Sequence, residues 1–200
     1  MVQEAARFAA AVHEGKVRKG TRIPYISHPL EAAVIVAGIT GDEEVISGAL
    51  LHDVIEDAGV TYDELRDRFG RRVADLVLAE SEDKTKTWEE RKAATIEHMK
   101  TAAREVKIIC LGDKLGNLRS TAADRLLKGE SVWQKFRVKD KAMHEWYYRG
   151  VLENLGEFRA ENAYREYVRL VEQIFGDHTR DLTEFFRKRK GFVRDSAQGL

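Results

Sequence analysis

Proline is nearly absent from this chain. Of 200 residues only Pro24 and Pro29 are proline, and none follows residue 29. Nothing in the rest of the chain therefore forces a helix to kink or stop, which favours an all-helical fold. There is one cysteine, Cys110, so no internal disulfide can form, as expected for a protein of a reducing cytoplasm. Cys110 lies in the apolar run Val106–Leu111 and reads as a core thiol rather than a nucleophile. No apolar stretch approaches the roughly 18 residues that a membrane span needs. The start, MVQEAARFAA, carries an early acid and lacks the apolar centre of a secretory signal. Net charge is also lacking: 34 Lys plus Arg balance 34 Asp plus Glu. That balance gives no reason to expect a nucleic acid or an anionic membrane as partner.

What is present is ample apolar material. Hydrophobic residues make up 43% and charged residues 34%, enough for a buried core and a soluble surface. One domain over residues 1–176 is expected, followed by a charged tail at 177–200. The run Arg187-Lys188-Arg189-Lys190 reads as a solvated part of that tail. Apolar spacing predicts a first helix from Gln3 to about Glu14. Pro29 suits the first residue of a second helix, to about Ala37. Asp42 suits the N-cap of a third, which should run unbroken to about Asp57. Thr61-x-x-Glu64 and Thr87-x-x-Glu90 are capping boxes that open two further helices. Arg71–Ala79, Val106–Leu118, Ser131–Leu155 and Ala160–Phe175 complete the predicted set.

Chemistry concentrates at Leu50-Leu51-His52-Asp53-Val54-Ile55-Glu56-Asp57. On one continuous helix, His52, Asp53, Glu56 and Asp57 share an arc of about 140°. Three acids near a helix C-terminus oppose its macrodipole, by roughly 0.3–1 kcal/mol each. An external counter-charge would relieve this, and imidazole with carboxylate suits a divalent metal such as manganese, iron or zinc. An exposed helix end explains Glu56 and Asp57 equally well. His28, before Pro29, is a further candidate ligand, though read alone it is also a helix-cap or core histidine. Asp113 follows an apolar stretch and needs a partner. A salt bridge to Lys or Arg would serve it as well as a metal, but the adjacent Lys114 is expected to face elsewhere.

The ordered set His28, His52-Asp53, Asp113 resembles the signature of the HD phosphohydrolases. Its surroundings are more specific. Arg18-Lys19-Gly20, Pro24-Tyr25-Ile26-Ser27-His28-Pro29-Leu30, Ala49 through Asp57, Phe69-Gly70, Glu82-Asp83-Lys84-Thr85 and Asp113 through Arg119 resemble the hydrolase domain of RelA/SpoT-type alarmone enzymes. The chain is too short for the synthetase and regulatory domains of long members. It is expected to be a stand-alone hydrolase, similar to the metazoan SpoT homologues.

The resemblance implies an all-α helical bundle with a metal in a central cleft. It implies hydrolysis of the 3′-pyrophosphate of guanosine tetra- and pentaphosphate, (p)ppGpp, with Mn²⁺ held by His28, His52, Asp53 and Asp113. It implies that Glu56 and Asp57 orient or deprotonate the nucleophile. Arg18, Lys19, Asn117 and Ser120 would contact the nucleotide. Lys84 and Arg119 are open between phosphate contact and surface pairing. Gly116 departs from the family pattern, where a larger residue is common, and the later family tyrosine has no clear counterpart between Tyr147 and Tyr148. Two other readings remain: an HD phosphohydrolase of another nucleotide such as NADPH, and a nucleotide-binding sensor without turnover. The implied partner is a small nucleotide, with neither nucleic acid nor membrane; oligomeric state is not legible.

Overall fold

The computed structural model describes residues 1–176, and the charged tail expected at 177–200 lies outside the described residues. In chain order the helices are α1 (Val2–Val12), α2 (Ser27–Ala37), α3 (Glu43–Leu51), α4 (Val54–Ala58) and α5 (Tyr62–Phe69). Then come α6 (Arg71–Glu80), α7 (Trp88–Met99), α8 (Arg104–Lys128), α9 (Lys141–Glu153) and α10 (Asn162–Phe175). Among the described residues the β pairing amounts to one isolated bridge, Val17 with Pro24, in the loop after α1. The all-α expectation holds.

Local chemistry explains the starts. Asp42 caps α3 by accepting from the backbone N–H groups of Glu44 and Val45. Thr61 and Thr87 form complete capping boxes with Glu64 and Glu90, opening α5 and α7. Pro29 is the third residue of α2 rather than the first, because the helix already begins at Ser27. A proline anywhere in the first turn is tolerated, since those N–H groups have no helical partner.

Two expectations need correction. The helix from Asp42 does not run unbroken to Asp57. α3 stops at Leu51, and His52-Asp53 separates it from α4. The His52 ring explains the break: its Nδ1 lies 2.7 Å from the carbonyl oxygen of Ala49, the acceptor that a continuous helix offers to the Asp53 N–H. The segment Ser131–Leu155 is not one helix either. A 3-10 turn covers Gly129–Lys135, and α9 starts only at Lys141, where the Asp140 side chain accepts from the Ala142 N–H. Val132, Trp133 and Phe136 pack into the core from this turn and the loop after it rather than from an α-helix.

α8 is the axis of the fold. It packs against α2, α3, α6 and α10 and is buried on nearly every side between Ile108 and Leu118. It is also longer than predicted, reaching Lys128 before Gly129 ends it at φ 56°. α2 crosses it closely at Gly112. A Cβ there would sit 2.8 Å from Val36 Cγ2 and 2.9 Å from the Ala32 carbonyl oxygen. That close approach sets His28 on α2 opposite Asp113 on α8.

Candidate metal centre

Each element delivers one part of the site. His28 sits in the first turn of α2, His52 and Asp53 in the break between α3 and α4, and Asp113 midway along α8. His28 Nε2 lies 3.0 Å from Asp113 Oδ1 and 3.8 Å from Asp53 Oδ2. His52 Nε2 lies 3.1 Å from Asp53 Oδ2 and 3.6 Å from Asp113 Oδ1. The donor atoms of His28, His52 and Asp113 all fall within 4.8 Å of one another. These three residues are buried, with 3%, 3% and 5% of their surface exposed.

The donor set fits a divalent ion. His52 Nδ1 donates to the Ala49 carbonyl, so in the neutral ring Nε2 is the free nitrogen facing the cluster. His52 Nε2 is buried and makes no hydrogen bond. A buried polar atom left so costs about 1–3 kcal/mol, and a ligand is a direct way to satisfy it. The electrostatics agree. Burial alone would depress His52, but the Asp53 and Asp113 carboxylates raise its pKa well above the ordinary value, so the pocket draws a positive charge, a proton or a metal ion, to Nε2. Burial would raise Asp113, but Lys114 and His52 hold it well below. Asp53 is likewise held down, against its burial, by His52 and His28. Positive charge is wanted where these groups meet.

Around the cluster lies a cavity of about 260 Å³. Glu56, Asp57, Arg18 and Asn117 line it, as expected from the sequence. Glu56 Oε1 accepts from the backbone N–H of Glu82 at 2.7 Å, and burial raises its pKa. Asp57 is held by Lys84, whose Nζ is 2.6 Å from Oδ1. Arg18 Nη2 donates to Asn117 Oδ1 at 2.8 Å, and Asn117 Nδ2 donates to Asp113 Oδ1 at 2.6 Å. Two expected nucleotide contacts are not on the cavity wall: Lys19 is exposed and Ser120 is half-buried on α8. Arg119 is turned away, paired with Glu31 and Glu166.

Lys114 requires a correction. It does not face elsewhere; its Nζ pairs with Asp113 Oδ2, and it lines the cavity. The reach of a flexible side chain to its neighbour is something residue spacing alone does not reveal. Five further wall residues, Tyr25, Glu80, Glu82, Arg91 and Lys92, carried no assigned role in the sequence. Tyr25 donates to Asp53 Oδ2 at 2.5 Å, with Asp57 Oδ2 at 3.1 Å. Lys92 bonds Glu82 at 2.6 Å. Glu80, at the end of α6, has a buried Oε1 without a partner, and burial pushes its pKa up to about 7. The Glu80 signal was an acid directly after the apolar Val73, Leu76, Val77 face; Lys92 gave none. Tyr147 is buried beside Lys92 with its hydroxyl unpartnered, and does not line the cavity.

A helical domain with a His, His-Asp, Asp cluster at its centre is of the HD class. The sequence pattern of the HD domain matches residues 5–138, and the chain belongs to that family. It is 43% identical over 147 residues to the human guanosine-3′,5′-bis(diphosphate) 3′-pyrophosphohydrolase MESH1, covering 72% of this chain and 78% of that one. The Xenopus tropicalis protein of the same name is 42% identical over 123 residues, 60% of this chain and 68% of the relative. A solved structure of a metazoan ortholog of SpoT, described as hydrolysing ppGpp, superposes with a TM-score of 0.69 at 27% identity. That match covers 86% of this chain and 94% of the other. Among the described residues no helix is long and apolar enough to cross a membrane.

Proposed function

We propose that this chain hydrolyses the 3′-pyrophosphate of ppGpp and pppGpp, giving GDP or GTP and pyrophosphate, with one Mn²⁺ ion as cofactor. The observation that carries the reading is the buried, unpartnered Nε2 of His52 beside His28 and Asp113. An ion held by His28, His52, Asp53 and Asp113 supplies Lewis-acid polarisation of the 3′-phosphoryl group and lowers the pKa of water. Glu56 and Asp57 orient that water, and one of them takes its proton as the 3′ ester is cleaved. Burial raises Glu56, making it the stronger base of ordinary carboxylates. Arg18 offers a planar cation for guanine or phosphate, steadied by Asn117. Lys92 and Lys114 add positive charge to the cavity lining, suited to the leaving pyrophosphate. Lys19 and Ser120 take part only if a bound nucleotide extends beyond the cavity. The cytoplasm is the proposed compartment.

A product assay decides it. Purified protein with manganese is expected to convert ppGpp to GDP and pyrophosphate, and to stop in EDTA. Cleavage of NADPH or other nucleotides with ppGpp left intact would reassign the substrate. Tight ppGpp binding without turnover across several metals would make the chain a sensor.

A further inference from the structure

One hydroxyl stands between the proposed metal ligand and the proposed catalytic acid. Tyr25 Oη lies 2.5 Å from Asp53 Oδ2 and 3.1 Å from Asp57 Oδ2. A phenol has one proton, so it donates to one of these carboxylates at a time. The shorter contact goes to Asp53.

The ring is held from behind. His13, at the end of α1, is 2% exposed, and its ring centroid lies 4.8 Å from that of Tyr25. Neither His13 nitrogen has a hydrogen-bond partner. Burial lowers its pKa, so His13 packs as a neutral ring. Asp57 is fixed at its other points: Lys84 occupies Oδ1 and Lys16 Nζ donates to its main-chain carbonyl. The free orientation of Oδ2 is therefore left to Tyr25.

We propose that Tyr25 is a positioning residue that couples the metal to Asp57, its single proton moving from Asp53 to Asp57 when a cation draws on the Asp53 carboxylate. This rests on the reading of the cluster as a metal centre. Tyr25 competes with the cation for Asp53 Oδ2 and then orients Asp57 Oδ2 toward the water. Removing the hydroxyl has two effects of opposite sign. Asp53 becomes freer to bind metal, and Asp57 becomes less well oriented. A merely structural role moves both in the same direction, because a loosened site binds metal less well and turns over more slowly.

The test is Tyr25→Phe, which keeps the ring on His13. Free Mn²⁺ is measured by electron paramagnetic resonance during titration of the metal-free protein, without nucleotide. The dissociation constant is expected to fall about fivefold, the equivalent of one competing hydrogen bond of about 1 kcal/mol. With ppGpp, kcat is expected to fall about tenfold with KM within about twofold, as for a group acting beyond ground-state binding. In an Asp57→Asn background the same change should leave kcat unaltered. Unchanged or weaker manganese binding, or undiminished kcat, overturns the proposal. A parent protein that binds manganese but ignores ppGpp overturns the substrate reading alone, and the metal titration still decides the role of Tyr25. His13→Leu, which loosens the ring without touching the hydroxyl, is expected to lower kcat in the same direction as Tyr25→Phe. Full kcat in that variant overturns the support assigned to His13.

Discussion

His52 Nδ1 and the carbonyl oxygen of Ala49, one turn earlier, lie 2.7 Å apart. Because a carbonyl only accepts, this contact places a proton on Nδ1 and turns Nε2 to the cluster, where the neutral ring is free to bind an ion. The same contact interrupts the helix at the His-Asp pair. A break in regular structure and a metal-ready tautomer are thus one event.

Metal binding should appear as stability. An ion at 100 times its dissociation constant adds about 2.7 kcal/mol to the native state. For a chain of this size that raises Tm by about 5–10 °C. Differential scanning fluorimetry with manganese and with EDTA measures it. His28→Ala is expected to lose the shift. A parent protein whose Tm ignores manganese would remove the basis for the metal centre.

Glu56→Gln separates catalysis from metal binding. The amide cannot take a proton, so kcat should drop about 10²–10⁴-fold, the usual size of a general-base contribution. The manganese-dependent Tm shift should remain. In the parent, burial raises the Glu56 pKa, so activity should fade on the acid side as pH drops through that raised value. Loss of the Tm shift in this variant would make Glu56 a ligand instead.

Glu80 makes stability depend on pH. The unfolded chain releases its proton near 4.5, and burial holds the native group to about 7. Between those values the native state binds more protons, so its stability falls as pH rises. Glu80→Gln removes the buried charge. Its Tm should match the parent at pH 4 and exceed it at pH 8, by about 2–4 °C for each kcal/mol regained. Equal Tm values at pH 8 would show that Glu80 finds a partner when ionised.

Two glycines of α8 should respond in opposite ways. At Gly112 a Cβ collides with Val36 and the Ala32 backbone, so Gly112→Ala must push α2 from α8, at a cost of about 1–3 kcal/mol. Because α2 carries His28 and α8 carries Asp113, manganese affinity should fall too. At Gly116 the nearest atom is His28 Nδ1 at 3.4 Å, which is ordinary contact. Gly116→Ala should therefore gain about 0.5–1 kcal/mol of helix stability. Urea denaturation of both variants gives the comparison, and a destabilised Gly116→Ala would contradict it.

Much of the site was legible before the fold. The donor atoms of His28, His52 and Asp113 come together, and Asp53, Glu56, Asp57, Arg18 and Asn117 line one cavity with them, while the roles the motif implies for them are part of the proposal. Capping boxes at Thr61 and Thr87 were readable because they are local hydrogen-bond patterns. The break at His52 was not readable. A helical wheel assumes a continuous helix, and a side chain taking its own helix's carbonyl is a choice between two local bonds of similar strength. The turn at Gly129–Lys135 was hidden for a related reason: apolar spacing there reflects packing of Val132 and Trp133 into the core from irregular backbone.

By itself the sequence determined the helical class, most helix starts and the donor types at the centre, since each depends on neighbours within about a turn or on side-chain chemistry alone. Only the tertiary structure decided which charges pair. Lys114 turns to Asp113, Tyr25 reaches across 28 positions to Asp53, and Lys84 crosses 27 to Asp57. These contacts depend on the crossing of α2 and α8 and on the path of the loop after α6. Hydrogen bonds act over about 3 Å in space, without regard to distance along the chain.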